Sequence, residues 1–118
     1  MNILEYQEWT LQTALYPEEG KYTERELNYL VHGLVGEAGE LANKFKKLLR
    51  NGAIHLGVET PISLDDSQKE ILVDEMGDIL WYFSRLSEVL GATVESIAGS
   101  NVSKLMARKK LNEIKDHS

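Results

Sequence analysis

Apolar residues recur every three to four positions through most of this chain, and the runs are interrupted by turn signals without any strand-like alternation. Asn2 and Glu5 have the spacing of an N-cap and its N3 partner. With Leu4, Trp9, Leu11, Ala14 and Leu15 they predict a first helix that ends before Pro17, and Pro17 to Lys21 reads as a turn. Thr23 and Glu26 form the pattern of a capping box. From there Leu27, Leu30, Val31, Leu34, Ala38, Leu41, Phe45 and Leu48 sustain a helix of about seven turns, up to the stop signal Asn51-Gly52. The pattern fails over 53–66, which reads as a long loop. Ser67 to Glu70 is a second capping box, and Ile71, Leu72, Met76, Ile79, Phe83, Leu86 and Leu90 carry a third helix to Gly91. Thr93 caps a fourth, which keeps its apolar pattern to Leu111 before a polar tail, 112–118, expected to fray. Four helices and no strand signal predict one all-α domain over 1–118, built like a four-helix bundle.

Two interruptions of the apolar pattern carry chemistry. Glu37 and Glu40 are three apart on the second helix, and Glu75 and Asp78 are three apart on the third, so each pair shares a helix face. A lone helical glutamate is ordinarily a solvated residue. Here the carboxylates are interleaved with Gly36, Gly39 and Gly77, each costing about 1 kcal/mol relative to alanine in a helix interior, which predicts close approach of another helix or a ligand. Four converging carboxylates repel one another unless a cation sits among them. An all-oxygen set suits Mg²⁺, with Mn²⁺ as a substitute. The Glu-x-x-His pairs of redox di-metal bundles are missing from both acidic motifs.

Composition narrows the context. With 118 residues, 42% hydrophobic and 27% charged, the chain has the balance of a single globular domain. A net charge of -6 and a pI near 5.0 provide no basic footprint for a nucleic-acid polymer and disfavour anionic membrane surfaces. No cysteine is present, so thiolate ligands and nucleophiles are excluded. The N-terminus has no signal-peptide pattern and no apolar run has bilayer-spanning length, so a soluble cytoplasmic protein is expected.

Three ordered motifs resemble a known family: Gly36-Glu37-Ala38-Gly39-Glu40-Leu41, Glu75-Met76-Gly77-Asp78-Ile79-Leu80-Trp81-Tyr82, and Asn101-Val102-Ser103-Lys104-Leu105 with Arg108. Together they are similar to the MazG-type nucleotide pyrophosphohydrolases, and the likeness runs from Gln7-Glu8-Trp9 to Arg108. The resemblance implies an all-α enzyme that holds Mg²⁺ on Glu37, Glu40, Glu75 and Asp78 and cleaves nucleoside triphosphates to monophosphate and pyrophosphate. It also implies a homodimer or homotetramer with the site near a subunit contact, and it places Asn101, Lys104 and Arg108 near phosphates or sugar. One departure is the 34 residues between Glu40 and Glu75, longer than in compact members, which reads as an insertion in the 53–66 loop near the mouth of the site.

The remaining assignments come from position on the helices. Glu40 is a candidate to orient or deprotonate the attacking water, although the other carboxylates have equal claim. Tyr82, one turn after Asp78, is a nucleotide-pocket candidate, with core packing as its alternative and as the commoner fate of Trp9 and Trp81. Lys44 suits either a phosphate contact or an ion pair with Glu40 one turn away. His32 is offset from the acidic pair and is not assigned a role. Two alternatives stay open at this point: a related helical pyrophosphohydrolase for another phosphoanhydride, such as a phosphoribosyl nucleotide or dUTP or dCTP, and a non-catalytic metal-binding helical module.

Overall fold

The computed structural model describes residues 1–52 and 64–116, and the greater part of the predicted 53–66 loop lies outside them. Among the described residues there are four α-helices and no strand: α1 (Ile3–Trp9), α2 (Glu24–Arg50), α3 (Asp66–Val89) and α4 (Val94–Asp116). A turn of 3-10 helix, Thr10–Thr13, extends α1. The fold is all-α, and its centre is the long α2/α3 pair, packed antiparallel with α1 laid against α3.

Local signals explain where the helices begin. Asn2 Oδ1 accepts from the Glu5 backbone N–H at 2.8 Å, and Thr23 Oγ1 accepts from the Glu26 N–H at 3.2 Å. The second half of the expected box at Thr23 is not formed. The Glu26 side chain turns back into the preceding loop, where its carboxylate accepts from Tyr16 Oη at 2.7 Å and from the Gly20 and Tyr22 N–H groups at 2.9 Å each. That loop bends through left-handed positions at Glu18 and Tyr22, which are costly for residues with a Cβ, and the three bonds to Glu26 hold it there. α3 starts earlier than the Ser67 box predicts. Asp65 is the N-cap, and it exchanges bonds with Gln68 in a complete capping box. Thr93 caps α4 as expected, in a reciprocal arrangement with Ser96. α4 then continues to Asp116, beyond the expected onset of fraying at 112.

The core is small and aromatic. Ala14, Tyr16 and fully buried Leu30 form it, and Trp81, Tyr82, Leu86 and Val89 pack on it from α3. Tyr16 stacks on Tyr29 with centroids 5.0 Å apart and meets Trp81 edge-on at 6.1 Å. Trp81 Nε1 donates to Thr13 Oγ1 at 2.7 Å. The inward face of α1 and its 3-10 extension is Gln7, Thr10 and Ala14, not the leucines: Leu4, Leu11 and Leu15 are exposed. Buried Gln7 makes the difference. Its Nε2 donates to Glu88 Oε2 at 3.1 Å and to the Ala92 carbonyl at 3.0 Å, while its Oε1 accepts from the Val94 N–H at 2.8 Å. One side chain thus ties the end of α3, the turn and the first residue of α4 together.

Beyond that tie α4 projects. Among the described residues no Cα of α4 approaches α2 within 8 Å, and α4 is exposed from Ala98 through Ile114. The radius of gyration is 18.5 Å, against about 13–14 Å for a compact chain of this length. The bundle-like packing therefore centres on the α2/α3 pair, with α1 joining α3 to the start of α4 at its base.

Candidate metal centre

The antiparallel register of α2 and α3 brings the acidic motifs face to face. Glu37, Glu75 and Asp78 each offer a carboxylate oxygen, and the three oxygens lie within 4.8 Å of one another. Glu37 and Glu75 are half-buried and Asp78 is exposed, so the cluster sits on the flank of the helix pair with one side open to solvent. Glu40, one turn further along α2, is exposed and lies outside this trio, although its charge is felt at Glu37.

The electrostatics are unfavourable without a cation. Among the described residues no lysine or arginine is ion-paired with any of the three; the ion pairs present are Lys21 with Glu18 and Lys109 with Glu113. Partial burial pushes the Glu37 carboxyl up from its ordinary value, and the charges of Asp78 and Glu75 push it further. Neighbouring phenols respond to the same field. Tyr82 is pushed up to about 12, first by burial, then by the Tyr29 hydroxyl beside it and by the charges of Glu37 and Asp78. Tyr6 is raised by burial and by Asp78. Three oxygen donors within one ion's reach and no protein cation among them fit a hard divalent ion with open positions for water or phosphate.

The other expected site residues are distributed differently. Tyr82 is next to the carboxylates, as its position predicts, but its ring packs on the core and against α2. Lys44 is half-buried and makes no ion pair with Glu40 among the described residues. Asn101 and Lys104, with Ala92, Ser96, Ile97 and Ser100, line an open depression of about 390 Å³ along the start of α4. Arg108 is exposed one turn beyond Lys104. No hydrogen bond or ion pair joins these three residues to the carboxylates within the described chain. No other helix among the described residues approaches Gly36, Gly39 or Gly77, since a Cβ at any of them would meet open space. Gly33 is where the helices come close.

Sequence reasoning missed Gly33 and Gln7. The signal for Gly33 is its place one turn before Glu37 and in antiparallel register with Tyr82. For Gln7 it is a polar residue three positions after Leu4 and four before Leu11, on what reads as an apolar stripe.

Comparison with known proteins fits this architecture. The description of the MazG nucleotide pyrophosphohydrolase domain matches residues 25–111, which include the acidic motifs and α4 through Leu111, and the chain belongs to that family. It is similar to the "Gene 37 protein" of Mycobacterium phage L5, at 40% identity over 110 residues, covering 92% of this chain and 90% of the phage protein. No solved structure gives a significant match. No helix among the described residues is long and apolar enough to cross a membrane.

Proposed function

We propose that this chain is a divalent-cation-dependent nucleoside triphosphate pyrophosphohydrolase, which converts (d)NTP and water to (d)NMP and pyrophosphate. The observation that carries the reading is the meeting of Glu37, Glu75 and Asp78, from two helices of a MazG domain, with oxygens within 4.8 Å and no protein cation between them. Glu37, Glu75 and Asp78 would hold Mg²⁺, or Mn²⁺ in its place, with Glu40 available from the next turn. When bound, the ion supplies positive charge to triphosphate oxygens and to the developing charge of the leaving pyrophosphate.

The chain's own groups account for the remaining requirements. Hydrolysis between the α- and β-phosphates needs a water directed at the α-phosphorus and an acceptor for its proton. Glu40 is exposed and outside the close trio, so its carboxylate is free to accept that proton while the trio is committed to the cation. Asn101, Lys104 and Arg108 follow one another at three- and four-residue intervals on α4, and their donors suit phosphate and sugar oxygens. A single chain leaves this stripe apart from the carboxylates. α4 also exposes Val102, Leu105, Met106, Leu111 and Ile114, and α2 and α3 expose Val31, Val35, Val73 and Met76. Pairing of chains as a homodimer or homotetramer would cover these apolar faces and bring one chain's α4 to another's acidic motifs. Light scattering that gives a monomer at assay concentration contradicts that assembly.

The activity is tested by incubating the protein with Mg²⁺ and a panel of ribo- and deoxyribonucleoside triphosphates and measuring both products. Equal amounts of monophosphate and pyrophosphate, lost in Glu40→Gln and in chelator, are expected. A folded protein that binds the cation and releases neither product from any triphosphate rules the reading out and directs attention to another phosphoanhydride or to a binding role.

A further inference from the structure

Gly33 and Tyr82 occupy matching places on the two helices that carry the acidic motifs. Gly33 lies one turn before Glu37 on α2, and Tyr82 lies one turn after Asp78 on α3. The helices run antiparallel, so the register that sets Glu37 against Asp78 also sets Gly33 against Tyr82. The contact is intimate. A Cβ built on Gly33 would overlap one edge of the phenol ring, against Cε1, Cδ1 and Cζ of Tyr82. Seven other described glycines, including Gly36, Gly39 and Gly77 beside the carboxylates, would meet nothing within 4 Å.

The ring has little freedom to yield. Trp81 stands edge-on to it with centroids 5.0 Å apart, and Tyr29 from α2 lies at 6.3 Å. A side chain at residue 33 must therefore move α3 away from α2 or expel the ring from its seat. Both displacements act one turn from three carboxylates that have to meet on a single ion, where ligand distances tolerate about 0.2 Å.

We propose that the Gly33–Tyr82 contact is a positioning device that fixes the separation of α2 and α3 at the height where Glu37, Glu75 and Asp78 share a divalent cation. This rests on the metal reading of those carboxylates. Gly33 has no side chain to offer a cation or substrate and acts through the ring of Tyr82.

The test measures Mn²⁺ affinity of the full chain by the loss of the free-ion paramagnetic resonance signal, with thermal melting in parallel. Gly33→Ala is expected to weaken Mn²⁺ binding by about tenfold or more, the range found when groups that orient metal ligands are changed. Tyr82→Leu removes Cε1 and Cζ and leaves δ carbons that can turn aside, so adding it to Gly33→Ala is expected to bring affinity back to within about threefold of Tyr82→Leu alone, a non-additivity diagnostic of direct contact. Gly99→Ala, in open space on α4, is expected to raise the melting temperature through helix propensity and to leave Mn²⁺ binding unchanged. A glycine with a packing role alone would lose melting temperature on substitution and, like Gly99, leave Mn²⁺ affinity unchanged. The proposal is overturned by a folded Gly33→Ala chain with wild-type affinity. Should Gly33→Ala not fold, a double variant that also fails to fold, or that binds far more weakly than Tyr82→Leu, overturns it equally. Wild-type protein that binds no Mn²⁺ refutes the metal reading itself, and that outcome is distinct from an insensitive Gly33→Ala.

Discussion

Glu26 and Glu37 lie three turns apart on one face of α2, and the chain treats their carboxylates in opposite ways. Glu26 is fully buried and supplied with donors: Tyr16 Oη and the Gly20 and Tyr22 N–H groups. Burial alone would push its pKa up, but those bonds, helped by the charge of Arg85, prevail and hold it below the ordinary value. Glu37 has less burial and no protein donor that neutralises it. Burial and the charges of Asp78 and Glu75 hold its carboxyl above the ordinary value. One acid is satisfied by folding, and the other shares its charge with Asp78 and Glu75. A buried charge with a full set of partners is architecture, whereas a shared negative charge without them marks a candidate cation site.

The largest effect expected from this contrast is on activity. Glu37→Gln should reduce pyrophosphate release at least about 100-fold, the upper end for changes that only orient ligands, while leaving metal-free stability unchanged or improved because a repulsion is removed. Chemical denaturation in chelator beside the product assay checks both halves. Glu26→Gln should do the reverse. It should cost about 2–3 kcal/mol of stability, since hydrogen bonds to a buried charge are lost and an amide faces backbone donors, with activity retained per folded molecule.

The two acids should also give stability opposite pH dependence. The folded state raises the Glu37 value, so its contribution to metal-free stability is complete at low pH and is lost as pH rises from the ordinary 4.5 through the raised value. Folding lowers the Glu26 value, so its contribution is complete above the ordinary 4.5 and disappears as pH falls through the lowered value. Melting in chelator across this range should show the Glu37→Gln advantage growing with pH and the Glu26→Gln deficit shrinking in acid. Saturating Mg²⁺ should abolish the first trend and leave the second. The smallest effect belongs to a third carboxylate, Asp65, whose backbone bond from Gln68 lowers its value at an exposed helix start. Asp65→Ala should lower the melting temperature by less than Glu26→Gln and should not change activity.

How legible these features are in the sequence follows from how local their causes are. The helices and the caps at Asn2, Thr23 and Thr93 depend on neighbours within one turn, and they read correctly. The spacing of the acidic pairs is likewise local, and three of the four carboxylates meet in the structure. One failure is itself local, the α3 start at Asp65 in place of the Ser67 box, and the others involve partners beyond the helical turn in which the pattern is read. Glu26 completes a capping box by pattern, but the strained turn at Glu18–Tyr22 takes its carboxylate instead. Leu4, Leu11 and Leu15 outrank Gln7 and Thr10 in hydropathy, yet three hydrogen bonds near residues 88–94 turn the polar face of α1 inward. Glycines beside the carboxylates attract attention, while the demanding one, Gly33, shows itself only when α3 is laid across α2.

The most direct test of the contrast is a Mn²⁺ titration of the wild-type chain and Glu37→Gln, with pyrophosphate release from a triphosphate followed in the same samples. Saturable Mn²⁺ binding that rises in step with pyrophosphate release in the wild type, with both lost in a folded Glu37→Gln chain, is the predicted result. Equal binding and turnover in the two chains would contradict the account and place the cation, and the chemistry, elsewhere.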